Sequence, residues 1–169
     1  LSAHGAAYGL ALPLLDAVIE TNLAQPQQMI ALLERRFPKL DGLKVAVLGL
    51  AFKEDTDDIR ESPAIPIIKL LLERGVQVTA YDPISNDAAR AVLPAGVNFA
   101  ASLEAAVGGV SAALLVTRWK EFERLPELLK ASPSTLVIDG RRVLSPASLA
   151  NYEGIGRQVK PQSPKVHAA

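Results

Sequence analysis

A densely charged loop occupies residues 49–64, GLAFKEDTDDIRESPA, between an apolar run and an apolar helix. It carries two cations, Lys53 and Arg60, together with five carboxylates. Lysine is a compact point charge and arginine is a planar fork that binds phosphate in a bidentate manner, so this pair is suited to hold an anion. The residues are also consistent with a solvated loop whose cations pair with its own carboxylates, and such loops are common.

Three further segments of the sequence contain side chains that suit nucleotide binding. Arg141 and Arg142 follow Asp139 in the run DGRR, although arginines at a surface turn are more often solvated than ligand-bound. Trp119 is either a stacking platform for a base or a cover for the end of a sheet, and we favour the cover. Asp82 in YDP is either a ligand of ribose hydroxyls or a turn residue, and we favour the turn because Asp-Pro at the end of a strand chiefly forms one.

The chain has no recognisable catalytic set. It contains no cysteine, which excludes disulfides and a cysteine nucleophile within it. His4 and His167 lie in the terminal segments, and no grouping of nucleophile, base and orienting residue is visible. No histidine accompanies Asp57 and Asp58, and no glycine-rich phosphate motif is present. We therefore predict no catalytic residue and no metal in this chain.

Strands and helices alternate along the sequence that must position these side chains. Apolar, β-branched runs predict strands, and an apolar segment at helical spacing predicts a helix that Ser62 and Pro63 begin and Gly75 ends. This pattern is typical of an α/β protein with a doubly wound parallel sheet. The predicted strands are 44–51, 76–83, 112–117 and 134–140, and the helix is 63–74.

The carboxyl ends of parallel strands meet at one edge of a sheet, where α/β proteins bind their ligands. The charged loop follows the first predicted strand, Thr117–Trp119 follows the third, and Asp139–Arg142 follows the fourth. The sequence therefore predicts one ligand site to which three strand ends contribute, and this position weakens the preference for solvated arginines in DGRR without removing it.

Residues 12–37 form a second kind of segment, with apolar residues at helical spacing that Pro26 interrupts. This helix lies outside the alternating unit, so we expect its apolar face to need another partner. The predicted organisation is a helical region over 1–38, an α/β domain over 39–157 and a mobile tail over 158–169.

The amino-acid composition limits the classes of partner that the protein is expected to bind. Basic and acidic residues number 18 each, so no overall field favours nucleic acid or an anionic membrane. No apolar run approaches the roughly 18 residues that span a bilayer, and the N-terminal segment lacks the basic start of a signal peptide. We expect a cytoplasmic protein with neither nucleic-acid nor membrane partners.

The run VAVLGLAFKEDTDDIRESPAIPIIKLLLERGVQVTAYDP (45–83) closely resembles the nucleotide-sugar-binding domain of the UDP-glucose/GDP-mannose dehydrogenase family. The hallmark of that family is G-L-x-F-K-x-x-T-D-D-x-R-x-S-P. TRWKEF (117–122), VIDGRR (137–142) and YEGIGR (152–157) match later family signatures in the same order. LLDAVIETNLAQ (14–25) is similar to the central helix of the family.

This resemblance implies a Rossmann-like domain preceded by a long helix, and it implies roles for four side chains. Phe52, Lys53 and Arg141 match residues that contact the nucleotide sugar, and Arg60 matches the arginine that reaches the phosphates of NAD. A UDP-sugar is then the expected substrate and NAD the expected cofactor. The N-terminal helix is expected to form a homodimer.

The resemblance also implies that much of the enzyme lies elsewhere, because the glycine fingerprint for NAD and the catalytic cysteine of the family are absent here. We expect the C-terminal part of an NAD-dependent UDP-glucose 6-dehydrogenase, which makes UDP-glucuronate in two oxidations, and we expect this part alone to be inactive. Two alternatives stay open: a stand-alone nucleotide-sugar-binding or regulatory module, and the same domain of a GDP-mannose or UDP-N-acetylmannosamine dehydrogenase. Glu54 departs from the proline of many members, and Pro26 interrupts a helix that is usually continuous.

Overall fold

The protein is built around one parallel sheet. A computed structural model describes residues 8–156. Its six strands lie in the order β3-β2-β1-β4-β5-β6, and every neighbouring pair is parallel. The strands are β1 Lys44–Leu48, β2 Gln77–Tyr81, β3 Asn98–Phe99, β4 Ala112–Leu115, β5 Leu136–Asp139 and β6 Tyr152–Gly154.

Helices cover both faces of this sheet. In β1, Val45 and Val47 enter one core with α1 and α2, while Ala46 and Leu48 enter the other core with α4 and α5. Burial on both faces explains why the central strands are continuously apolar. The helices are α1 Pro13–Arg36, α2 Ala64–Glu73, α3 Asn86–Val92, α4 Leu103–Val107 and α5 Leu125–Leu128, and two 3₁₀ helices cover Lys120–Arg124 and Pro146–Ser148.

The predicted fold class is confirmed, because a doubly wound parallel sheet follows a long helix. The ends of α2 also agree with the prediction. The Ser62 hydroxyl accepts a hydrogen bond from the Ala64 amide at 3.3 Å, and Gly75 ends the helix at φ +74°. Sequence analysis missed β3 and β6, which are too short, at 2 and 3 residues, to show a periodic pattern.

The sequence left open whether Pro26 breaks the N-terminal helix, and the structure shows that it does not. The helix is continuous, and Pro26 is buried inside it. A proline inside a helix costs about 3 kcal/mol. Met29, Ile30 and Leu33 follow it and are buried in the core, where each contributes roughly 1.5–3 kcal/mol. Their burial exceeds the cost of the proline and keeps the helix intact.

The second half of α1 is anchored to the α/β domain, so the expectation that its whole apolar face needs an outside partner was wrong for this half. Besides the buried residues after Pro26, Arg35 and Arg36 pair with Glu153 of β6 at 3.2 and 3.7 Å. The first half differs, since Leu14 is 81% exposed and Leu23 is 73% exposed. Only this first half still presents an uncovered apolar surface.

No helix within residues 8–156 is long and apolar enough to cross a membrane. The predicted mobile tail, 158–169, and the two histidines, His4 and His167, lie outside the described residues.

Candidate functional site

The carboxyl ends of β1 and β4 approach each other so closely that only glycine is tolerated at position 49. Gly49 has φ +88°, and a Cβ built there would lie 2.7 Å from the backbone nitrogen of Thr117. The Thr117 hydroxyl donates to the Ala51 carbonyl at 2.5 Å and ties the segment after β4 to the segment after β1. The charged loop therefore begins at a fixed point on the edge of the sheet.

Asp82, the residue after β2, is the second fixed point. It is 2% exposed, and both carboxylate oxygens are engaged. The donors come from the segments after β1, β2 and β4. They are the amides of Leu50 (2.7 Å) and Ala51 (3.2 Å) and Nε1 of Trp119 (3.1 Å) on Oδ2, and the amides of Ile84 (2.9 Å) and Ser85 (2.8 Å) on Oδ1.

The charged loop itself closes between Phe52 and Asp58. The Phe52 amide donates to the Asp58 carbonyl at 2.8 Å, and the Asp58 amide donates to the Thr56 hydroxyl at 3.1 Å. The Ser85 hydroxyl donates to the Thr56 carbonyl at 3.1 Å and holds the loop against the segment after β2. The loop is thus an ordered turn that its own backbone and one neighbour define.

Arg60 is held by a carboxylate of its own loop. Nε and Nη2 of Arg60 donate to the two oxygens of Asp58 at 3.0 and 2.7 Å, although the Arg60 side chain is 88% exposed. These hydrogen bonds lower the pKa of Asp58 from 3.8 to about 2 and raise the pKa of Arg60. For Arg60, the structure thus agrees with the interpretation in which a cation of the loop pairs with one of the loop's own carboxylates. Asp57, by contrast, is exposed, and its side chain bonds to none of residues 8–156.

Phe52 and Lys53 lie exposed on the same loop. The phenyl ring of Phe52 is large and apolar, and this residue is 49% exposed. Within the described range, Lys53 makes neither a hydrogen bond nor an ion pair, and its charge contributes to the lowered pKa of Asp58. An exposed apolar ring beside an unpaired ammonium group suits a ligand that has both a flat surface and an anionic group.

The turn after β5 is built on a buried carboxylate. Asp139 accepts hydrogen bonds from the amides of Arg141 and Leu144, each at 2.9 Å, and from the Tyr152 hydroxyl at 3.2 Å. Gly140 leaves no room for a side chain, since a Cβ there would lie 3.0 Å from the Leu115 carbonyl and 3.2 Å from the sulfur of Met29 in α1. The DGRR turn is therefore clamped between β4 and α1.

Arg141 is fixed at one point and open at its tip. Its Nε donates to the Val116 carbonyl at 2.7 Å, while its two terminal nitrogens make no hydrogen bond to residues 8–156. A guanidinium group presented in this way keeps two parallel donors for a phosphate or carboxylate. Among the described residues, no cluster of histidine and acidic side chains could hold a metal ion.

The model of the UDP-glucose/GDP-mannose dehydrogenase family, UDP binding domain, matches residues 46–146. The chain belongs to this family. It is 43% identical over 142 residues to a UDP-glucose 6-dehydrogenase of Haloferax volcanii, and the match covers 84% of this chain and 33% of that relative. A UDP-glucose 6-dehydrogenase of Pseudomonas aeruginosa is 40% identical, with 85% and 34% covered. The chain thus spans about a third of the length of these relatives.

A solved structure of the family has the same fold. The UDP-glucose dehydrogenase of Pyrobaculum islandicum superposes with a TM-score of 0.78 at 36% identity, over 90% of this chain and 34% of that one. The resemblance inferred from the loop and the DGRR turn is therefore confirmed at the level of the family.

The family site residues predicted from sequence lie at the carboxyl ends of two strands that are separated by one strand of the sheet. Phe52, Lys53 and Arg60 follow β1, Arg141 follows β5, and β4 stands between them. Contacts through Thr117 and Val116 join β4 to both sides. Their roles toward a nucleotide sugar and NAD stay predictions.

Sequence analysis expected a turn at Asp82, and its bonds to the amides of Ile84 and Ser85 form one, but the long-range contacts of this carboxylate were not anticipated. Trp119 is 7% exposed and covers the sheet end, as expected, but its indole N–H also bonds to Asp82. Of the donors to Asp82, Leu50 and Trp119 lie 32 and 37 residues from it along the chain, so only the parallel strand order reveals these two contacts. The sole local signal was an aspartate placed directly after a buried strand.

Proposed function

We propose that this chain is the nucleotide-sugar-binding part of an NAD-dependent dehydrogenase that oxidises C6 of UDP-glucose twice, giving UDP-glucuronate. One observation carries the proposal: the uncommitted donors of Lys53 and Arg141 share an edge of a domain whose family model is a UDP binding domain. A diphosphate is the ligand group that two such cations suit, and Phe52 adds an exposed apolar surface.

In the proposed complex, the three side chains have different roles. Arg141 offers two terminal nitrogens to the diphosphate, Lys53 adds a point charge, and Phe52 packs against an uncharged part of the nucleotide sugar. Fixing the ligand at several points presents its C6 in one orientation, which lowers the entropy cost of a later reaction.

Arg60, the remaining cation of the charged loop, is proposed to bind NAD. The Arg60 side chain is 88% exposed, and Asp58 engages Nε and Nη2 but leaves Nη1 without a bond within residues 8–156. That nitrogen suits a phosphate of the cofactor. When bound, NAD accepts a hydride, and this chain contributes only a contact to a phosphate of NAD. It contains no cysteine and no glycine fingerprint, so we propose that it is inactive by itself.

We also propose that a second copy of the chain covers the first half of α1. Leu14 and Val18 stand one helical turn apart on one side of the helix, and Ile19 and Leu23 stand one turn apart on another side, so exposed apolar residues surround much of this half. Exposed apolar surface of this kind marks interaction sites, and most homo-oligomers are symmetric dimers. Val18→Glu should convert a dimer to a monomer in light scattering, whereas Gln28→Glu, which adds the same charge to an exposed position of α1, should not.

Calorimetric titration of the chain with UDP, UDP-glucose, GDP and GDP-mannose tests the proposed substrate. Binding of UDP-glucose and UDP with little binding of the guanine nucleotides is the expected result. Preference for GDP-mannose would instead assign the chain to another branch of the family. No binding of any of the four would contradict the proposal.

The dehydrogenase part needs the rest of an enzyme. We suggest replacing the corresponding third of the Haloferax volcanii relative with this chain and following NADH formation from UDP-glucose. In that chimera Arg60→Ala should raise the KM for NAD more than the KM for UDP-glucose. NADH formation by the purified 169-residue chain alone would contradict the proposed inactivity.

A further inference from the structure

Asp82 stands where the dinucleotide-binding version of this fold has an acidic residue for ribose hydroxyls, directly after β2. A carboxylate has about four lone-pair positions, and this one already accepts five hydrogen bonds from within the protein. It is also 2% exposed, so a ribose has no route to it. Both oxygens of the Asp82 carboxylate are therefore fully engaged in hydrogen bonds within the protein.

Two of the residues that bond to Asp82 directly precede the candidate ligand-binding residues along the chain. Leu50 and Ala51, whose amides bond to Asp82, are followed at once by Phe52 and Lys53. The Ser85 amide also bonds to Asp82, and the hydroxyl of the same residue supports the charged loop at Thr56. One carboxylate therefore holds both the start and the middle of the loop.

The segment after β4 connects Asp82 to Arg141. Trp119 donates to Asp82, and Thr117, two residues earlier, bonds to Ala51. The preceding residue, Val116, provides the carbonyl that orients Arg141. The relative position of Lys53 and Arg141 thus depends on contacts that converge near Asp82.

We infer that Asp82 is a positioning residue for nucleotide-sugar binding: it touches no ligand but keeps Phe52 and Lys53 in register with Arg141. This inference rests on the proposed function. A buried carboxylate is suited to the task because hydrogen bonds to a charged acceptor are stronger than neutral ones, and because it accepts several donors at once.

The variant Asp82→Asn tests the inference with little change in shape. The amide replaces one acceptor oxygen with an NH₂ group, which then faces N–H donors and cannot accept from them. We expect the dissociation constant for UDP, measured by calorimetry, to rise about tenfold or more, the equivalent of one charge-assisted hydrogen bond. Asp87→Asn, at an exposed position of α3, removes the same charge and should leave UDP affinity unchanged.

A second measurement does not depend on UDP and separates positioning from general stability. The Phe52 amide bonds within the charged loop and does not touch Asp82, so its hydrogen exchange reports the order of the loop. In Asp82→Asn this amide should exchange faster, while the amides of β5 keep their protection. Trp119 is the single tryptophan of the chain, and its emission should shift to longer wavelength in Asp82→Asn but not in Asp87→Asn.

The outcomes are distinct. Faster exchange at Phe52, intact protection in β5 and weaker UDP binding support the inference. Unchanged exchange at Phe52, or UDP affinity within about twofold of the unsubstituted chain, overturns it. Equal loss of protection in β5 also overturns it, because Asp82 would then serve stability in general. Failure of the unsubstituted chain to bind UDP refutes the proposed function, and the exchange data still show whether Asp82 orders the loop.

Discussion

Two arginines lie at the same edge of the sheet and are held in opposite ways. Arg60 is bound by a carboxylate of its own loop two residues away, so its charge is compensated before any ligand arrives. Arg141 is bound by the neutral carbonyl of Val116, 25 residues earlier in the chain, which fixes its direction and leaves its charge uncompensated. Exposure alone is therefore a poor guide to anion binding, and the nature of the existing partner decides how much charge is available.

The strongest test of this comparison is Arg141→Ala. Loss of a bidentate, uncompensated arginine should raise the dissociation constant for UDP about 100-fold, at the upper end of the 1.5–3 kcal/mol for a hydrogen bond to a charged group. Calorimetric titration measures the effect. Lys130→Ala is the matched control, since Lys130 precedes β5 at the opposite edge of the sheet and should have no effect. Similar losses in both variants would mean that net charge, not position, governs binding.

Lys53→Ala sharpens the comparison, because Lys53 shares the loop of Arg60 but has no carboxylate partner among residues 8–156. If compensation matters more than location, Lys53 should behave like Arg141. We expect UDP to bind about tenfold more weakly, as for the loss of a single charge-assisted contact. An unchanged affinity in the same titration would return Lys53 to the solvated-loop interpretation.

Arg60→Ala should have a smaller effect on UDP. Because Asp58 already compensates the guanidinium charge, UDP affinity should change within about twofold, the usual range for surface substitutions. Asp58→Asn should strengthen UDP binding slightly, since it leaves Arg60 without its carboxylate. A loss with Arg60→Ala as large as that with Lys53→Ala would break the distinction between the two cations.

The smallest expected effect is a shift in titration. In NMR, the Asp58 carboxyl should titrate near its lowered pKa of about 2, and in Arg60→Ala it should return toward 3.8. Because the pKa is lower in the folded protein, the stabilising contribution of the pair is present above pH 4 and is lost as the pH falls through about 2. Identical midpoints in the two proteins would show that the ion pair does not form in solution.

The same contrast explains which features could be predicted from the sequence. The Asp58–Arg60 pair and the ends of α2 depend on residues within a few positions of each other, and both agree with the sequence interpretation. The long-range donors to Asp82, from Leu50 and Trp119, and the carbonyl that orients Arg141 lie 25 to 37 residues from their partners, and strand order alone brings them together. A pattern of residues within a short stretch of sequence cannot reveal such contacts.

The error over the apolar face of α1 has the same origin. Helical spacing predicted the helix, while the general cost of an internal proline left open whether the helix breaks at Pro26. The opposing contribution came from burial of Met29, Ile30 and Leu33 against the α/β domain, which no periodicity within the helix could reveal. The spacing showed an apolar face, but not that this face is divided between an intramolecular half and an exposed half.

The strand order β3-β2-β1-β4-β5-β6 also predicts an order of events during folding. β1, β2 and β3 follow one another along the chain and pair as neighbours, so this half closes short loops and should form early. Pairing of β1 with β4 joins Val45 to Ala112 and closes the longest loop, which makes it the slower step. Lys53 and Arg141 stand on opposite sides of that seam. A half-folded chain therefore has no complete site, and nucleotide should slow unfolding without accelerating the early steps of folding.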